Sequence, residues 1–193
     1  MACTGVVPQM NDVMNYVVGF VFQILAFLFV LRFLLQACRV DFYNPISQGI
    51  VKATDFFLRP LRLVIPGYKN LDLAAFTAAI AVHLLMIAAL AAINDQYIGG
   101  ILVMFGDSLL RVLLLVLFIV KWSILIAIIA SWIAPGNYHP ALALLSQLTE
   151  PVLAPARRLL PALGGLDLSP ILVFLILGVI ERLLPQIFYG MLS

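Results

Sequence analysis

The sequence predicts an all-α membrane protein, with four transmembrane helices arranged as two tandem repeats of like orientation, each carrying a Pro-rich amphipathic interfacial loop. Two observations predict it. The 193 residues are 64% apolar and only 10% charged, whereas a soluble domain is about a quarter charged, so too few charges exist to clothe a soluble surface. The stretch TDFFLRPLRLVIPGYKNLDL from Thr54 is then written again, 95 residues later, as TEPVLAPARRLLPALGGLDL from Thr149.

Four apolar runs, at about 14–38, 72–93, 109–133 and 169–189, approach or exceed the roughly 20 residues that cross a bilayer core. The first lacks the basic leader and small-residue cleavage site of a signal peptide and is too long for an h-region, so it is expected to stay in the mature chain. The expected domains are a first repeat at 1–93, an external linker at 94–108 and a second repeat at 109–193. Cys3 and Cys38 are read as free thiols, and neither sits in a metal-ligand spacing. Neither a metal nor a cofactor is expected.

Lys and Arg gather between the spans of each repeat: Arg39, Lys52, Arg59, Arg62 and Lys69 in the first, Arg157 and Arg158 in the second. The N-terminal tail and the stretch NDQYIGGILVMFGDS have none. The positive-inside rule therefore turns both loops to the cytoplasm and leaves the termini and the linker outside.

Aligned without a gap, the loops match at Pro45/Pro140, Thr54/Thr149, Leu58/Leu153, Pro60/Pro155, Arg62/Arg157, Pro66/Pro161 and the two Leu-Asp-Leu triplets. Asp55 matches Glu150 in charge. Two spans separate the copies, so the copies share one orientation and a symmetry axis along the membrane normal.

Each loop reads as a short helix, a break and a re-entry. Asn44-Pro45 has the form of an N-cap with Pro at the first helical position. Ile46, Ile50, Phe57 and Leu61 recur near a helical face, with Ser47, Gln48, Lys52 and Asp55 pointing elsewhere. That describes an in-plane segment whose basic groups meet anionic head groups, at about 1 kcal/mol per Lys or Arg. Pro60, Pro66, Pro155 and Pro161 are expected to forbid a continuous helix. Ser169-Pro170 resembles a second N-cap. Arg62 and Asp72, like Arg157 and Asp167, stand ten apart and either clasp each loop by a charge-assisted hydrogen bond or remain solvated.

The motifs Arg-x-Asp-Phe-Tyr-Asn-Pro at 39–45, the T-x-x-x-L-x-P-x-R-x-x-x-P core and Leu-Asp-Leu-Ser-Pro at 166–170 resemble those of the YggT family of small bacterial integral membrane proteins, over nearly the whole chain. Two departures stand out: Ala74-Ala75 follows the first Leu-Asp-Leu, and His139-Pro140 replaces Asn-Pro. The resemblance implies a bacterial inner-membrane location and an association with osmotic or cation stress, division, or assembly of other envelope complexes. It brings no agreed biochemical activity.

Ionisable residues at membrane depth are functional candidates. Arg32 lies six residues from the end of its span, about 9 Å deep, and is expected to snorkel out. Lys121 and Glu181, each twelve residues from a span end, about 18 Å deep, are expected to pair, with Arg182 turned away. His83, at nearly that level, reads as a hydrogen-bonded core histidine; with His139 in a loop, the two are poorly placed to clamp a haem. Asp107 and Arg111 are spaced to pair across one helical turn. The Ala-rich second span (Ala74, Ala78, Ala81, Ala88, Ala92) suits the bundle centre or an oligomer face. Pro185 is placed to kink the last span near Glu181.

No H-E-x-x-H, G-x-S-x-G or Walker loop is present, which argues against an enzyme. The leading expectation is a membrane scaffold or assembly factor. The second is a small oligomeric cation-handling protein built on the Lys121, Glu181 and His83 layer. A third, help in haem or cytochrome assembly, comes only through the resemblance to plastid relatives. The expected partners are lipid, a membrane protein or a second copy, and no nucleic acid.

Overall fold

The computed structural model describes residues 10–96, 100–133, 139–159 and 167–190. Six helices occupy them: α1 (Met10–Ala37), α2 (Pro45–Val64), α3 (Leu73–Ile93), α4 (Ile101–Ile133), α5 (Pro140–Leu159) and α6 (Ser169–Gly190). α1, α3, α4 and α6 are long and apolar enough to cross a membrane. The order is span, elbow, span, twice over, with α2 and α5 as the elbows. α4 starts eight residues before the third expected span, taking in part of the expected linker. Its first turns, Ile-Leu-Val-Met-Phe, are apolar and carry no helix breaker before Gly106.

Local chemistry sets the element ends. α1 closes with Val40 N–H donating to the Leu35 carbonyl and Cys38 N–H to that of Leu34, while Arg39 takes a left-handed φ of 54°. This is the Schellman geometry, with Arg where Gly is usual. Asn44 caps α2 as expected, its side chain accepting from Ile46 N–H ahead of Pro45 at the first position. His139 does the same for α5, Nδ1 accepting from Ala141 N–H at 3.2 Å.

The prolines act differently from expectation. α2 runs through Pro60 and stops only before Pro66, and α5 runs through Pro151 and Pro155; Pro161 lies outside the described residues. A proline frees one carbonyl, four residues back. For Pro60 that residue is Phe56, on the exposed side of the elbow, where the unpaired group need not be buried. Pro66 does hold Ile65 in an extended conformation, φ −115° and ψ 93°, as the residue before a proline prefers.

The buried face of α2 is Ser47, Ile50, Thr54 and Leu58, with Asp55 half-buried beside it. Of the apolar face read from the sequence, Ile50 is buried against the bundle while Ile46 and Phe57 are exposed. A shift of one residue rotates a helix face by about 100°. The polar pair Thr54–Asp55 is turned inward because it has a buried partner there, described below.

α3 lies at the bundle centre against α1 and α4. Its closest face is Ala74, Ala75, Ala78 and Ala79, all 3% exposed or less, whereas Ala81 and Ala92 face outward. Phe29, Val30 and Leu34 of α1 and Val112, Ile119 and Ile124 of α4 complete the core. Small side chains allow backbones to approach in lipid, where no hydrophobic force drives helices together.

Enlarging that contact should therefore be felt. Ala79→Leu is expected to destabilise the protein by about 1–3 kcal/mol through overpacking, and Ala81→Leu to leave it nearly unchanged. Thermal unfolding in detergent compares the two.

Candidate functional site: a charged elbow hub and an intramembrane ion pair

Arg32 of α1 does not snorkel. It is 5% exposed and turned under the first elbow, where Nη1 donates to the Val51 carbonyl at 2.9 Å and to Thr54 Oγ1 at 2.7 Å. Nη2 donates to Asp55 Oδ1 at 2.7 Å, and Nε lies 3.5 Å from Asp72 Oδ2. Depth alone suggested an exit to water, but α2 folds back over α1 and brings a carboxylate closer than the solvent.

Arg62 pairs with Asp72 and stands 3.7 Å from Asp55, and Arg59 reaches Asp55 at 3.4 Å. Two carboxylates are thus ringed by three guanidinium groups. Asp72, 2% exposed, also caps α3, its Oδ1 accepting from Ala75 N–H at 3.1 Å. The Arg32 hydrogen bond holds the Asp55 carboxyl below its usual range, with Arg59 adding to the effect.

The second elbow is simpler. Arg157 Nε donates to Asp167 Oδ2 at 3.1 Å, and Nη1 donates to both Glu150 oxygens at 2.9–3.0 Å; Glu150 first, then Asp167, raise the Arg157 pKa above its ordinary value. Both expected Arg–Asp clasps are therefore closed. Ser169 does not cap α6 through its hydroxyl. Asp167 Oδ1 accepts from Ser169 N–H instead, at 2.9 Å, and Ser169 Oγ is buried without a hydrogen bond among the described residues.

The elbows also touch one another. Asn44 Nδ2 donates to the Pro140 carbonyl at 2.7 Å, and Asp41 N–H to Gln147 Oε1 at 2.7 Å. So α2 and α5 lie at one end of the bundle as a joined platform. Sequence reasoning missed this bridge, because the match of Pro45 with Pro140 marks equivalent positions in two repeats and not a contact between them.

Within the spans, Lys121 Nζ pairs with Glu181 Oε2. Each is twelve residues from the elbow end of its helix, about 18 Å along the axis. Arg182 is exposed and forms no ion pair among the described residues. His83 is 2% exposed, yet neither ring nitrogen has a hydrogen-bond partner among them, contrary to the expectation of a bonded core histidine. It borders a cavity of about 540 Å³ with Gln23, Arg111 and Glu181.

Both hairpins are fastened again at the end away from the elbows. Asn15 and Asn94 exchange side-chain hydrogen bonds at 2.9 and 3.0 Å. Asp107 accepts from Arg111 at 2.7 Å, as spaced, and from the Tyr189 hydroxyl at 3.0 Å. Beside it the Phe188 ring lies over Gly106, where a Cβ would come within 2.5 Å of it; that close approach is why glycine stands mid-helix. α6 continues through Pro185. Cys38 is a free thiol, and Cys3 lies outside the described residues. Among the described residues, no group of three His, Cys, Asp or Glu could hold a metal ion.

Four apolar spans, doubled as two hairpins with joined elbows, define a duplicated multi-pass-type membrane protein. The chain belongs to the CCB3/YggT family, whose model matches twice, over residues 11–93 and 106–188. It is 41% identical over 175 residues to an uncharacterized protein of Pseudomonas aeruginosa, covering 90% of this chain and 89% of the relative. Similarity extends to an uncharacterized protein from the proC 3′ region of Vibrio alginolyticus, 40% identical with 84% and 88% covered. The uncharacterized protein YggT of Escherichia coli K12 is 34% identical, with 88% of each chain covered. No solved structure matches.

Removing the central guanidinium takes from Asp55 and Asp72 their one buried cation and leaves them with the exposed Arg59 and part-exposed Arg62. Arg32→Met is expected to cost about 3 kcal/mol, and Asp55→Asn in that background to recover part of it, both read by thermal unfolding. Because the folded Asp55 pKa is lowered, its contribution is complete above the ordinary carboxylate pKa and is lost as pH falls through the lower folded value. A stability titration below about pH 4 should therefore show a steeper decline for the native chain than for Asp55→Asn.

Proposed function

We propose that the protein is a non-enzymatic scaffold or assembly factor of the bacterial inner membrane, serving envelope, division or osmotic-stress physiology. The observation that carries this reading is how the buried Arg32 and Asp72 and the part-buried Asp55, Lys121 and Glu181 are used. Arg32, Asp55, Asp72, Lys121 and Glu181 join one helix to another, so they shape a rigid body rather than line a reaction centre. What is left over is a platform. Phe42, Tyr43, Phe56, Leu63 and Tyr68 of the first elbow region are exposed, and Lys52, Arg59 and Lys69 are exposed among them. Aromatic rings beside basic groups suit the cytoplasmic lipid–water boundary.

A second reading has its own support. His83 is buried without a partner and shares its cavity with Glu181, which suits a cation or proton site in an oligomeric ion-handling protein. The third, haem or cytochrome assembly, has no histidine pair behind it: His139 caps α5 through Nδ1 while His83 is enclosed on α3.

Purified protein in liposomes separates the first two. A scaffold leaves the cation permeability of the vesicles unchanged, whereas flux abolished by Glu181→Gln establishes the ion-handling reading. In cells, a photo-crosslinking residue at position 56 is expected to give a discrete protein adduct, and the complex containing that adduct to decline when the chain is deleted. An intact complex in the deletion strain refutes the assembly role.

A further inference from the structure

The two elbows share a plan, and the second is missing a part. Arg32 corresponds at the offset of 95 to Ala127. In the first repeat the guanidinium of Arg32 is held by Thr54 and Asp55, with Asp72 near. Their counterparts Thr149, Glu150 and Asp167 are all present. They line a cavity of about 640 Å³ that Ala127 also borders.

Three further exchanges widen the space. Phe29, Phe33 and Phe76, the last two in tilted ring contact at 5.1 Å, are replaced by Ile124, Ile128 and Ile171, which line the same cavity. The first elbow also keeps a cavity, of about 540 Å³, but the guanidinium of Arg32 lines it beside Asp55 and Arg62. In the second, Ala127 stands in that place.

Its polar wall is built to receive a cation. Glu150 and Asp167 bring two negative charges and Arg157 one positive, where the first elbow sets Arg32, Arg59 and Arg62 against Asp55 and Asp72. Of these three guanidinium groups only that of Arg62 has a counterpart in the second elbow; Ala127 and Ala154 stand for the other two. Thr149 is 2% exposed, and its hydroxyl donates to the Leu145 carbonyl at 2.9 Å. Among the described residues no N–H or O–H donates to its oxygen, whereas Thr54 receives Arg32 in that role. An internal copy of the same site, filled by the guanidinium of Arg32, thus shows what the second one selects.

We infer that the second elbow is a binding site for the primary ammonium of an aminophospholipid head group such as phosphatidylethanolamine, which takes the place left by Ala127. A primary ammonium carries one positive charge and three N–H donors, enough for Glu150, Asp167 and the Thr149 oxygen. Arg157 lies beside them to meet the lipid phosphate. The apolar side of the cavity continues onto exposed Trp132, Ile171 and Leu175, which offers the acyl chain a path between α4 and α6. A protein side chain would need the charged end without that path. The site requires only that the elbow lie at the lipid surface and is independent of the scaffold role.

Trp132 lines the cavity and is one of two tryptophans in the chain, so Trp122→Phe makes it a sole reporter. The full chain is reconstituted in phosphatidylcholine vesicles, and its fluorescence is quenched by adding phosphatidylethanolamine or phosphatidylcholine brominated near the head group. The quaternary ammonium of the latter donates no hydrogen bond. Half-quenching is expected at about a fivefold lower mole fraction of the ethanolamine lipid, a ratio set by losing charge-assisted hydrogen bonds at a part-exposed site. Ala127→Arg, which restores the cation of the first repeat, should bring the two curves together. Glu150→Gln should narrow the gap and serves if the Arg variant does not fold.

Superimposed curves for the parent chain overturn the proposal and leave the slot to a cationic side chain of a protein partner. A gap that survives Ala127→Arg also overturns it, by placing the preference elsewhere. So does equal quenching by brominated phosphatidylglycerol, which has no amine and would show that Arg157 reads phosphate alone.

Discussion

The first hairpin depends on one buried guanidinium. Arginine does not give up its charge in a protein interior, so Arg32 has to be met by carboxylates wherever α1 carries it. Asp55 on α2 and Asp72 at the start of α3 meet it together. An amphipathic helix joined only by its ends would be free to roll on a lipid surface. Here its rotation is set by Thr54 and Asp55, its lower end by the Arg62–Asp72 pair, and the entry of α3 by Asp72 as cap. One residue thereby relates three helices.

The second hairpin solves the same problem with fewer charges and more exposure. Arg157 spans Glu150 and Asp167, and the Lys121–Glu181 pair adds a lock between α4 and α6 that the first repeat has no counterpart for. The halves are therefore not interchangeable. One is dense with aromatic and guanidinium groups around its elbow; the other has isoleucine and alanine there, and its ion pair deep in the spans. Contact between Asn44 and Pro140 makes the two elbows a single surface despite that difference.

Much of this was readable in the residues, and what was not had physical causes. Span number, the duplicated plan, both Arg–Asp clasps and the Lys121–Glu181 pair follow from composition, register and the cost of an unpaired charge in lipid. Arg32 was misplaced because depth along its own helix says nothing about a second helix folding over it. The apolar pattern of α2 ranks Phe57 above Thr54, while a buried guanidinium reverses that order, so only Ile50 is common to the apolar face and the buried one. Pro60 and Pro155 read as breaks in the sequence, yet a lost N–H on the exposed side of an elbow helix is a local cost that the helix absorbs. Asn15–Asn94 and Gly106–Phe188 unite positions whose spacing carries no short-range signal.

The length of α4 has its own consequence. Thirty-three residues make a rod of about 50 Å, while the oily layer of a bilayer is about 30 Å deep. Counting from the elbow end, the excess falls on the turns that hold Asp107 and Arg111, the stretch also gripped by Phe188 and Tyr189. That end either stands clear of the lipid as a short stalk or is accommodated by leaning the rod. Because α6 is bound to it there, the lean of one helix is shared by both, and membrane thickness becomes a variable to which the second hairpin as a unit must respond.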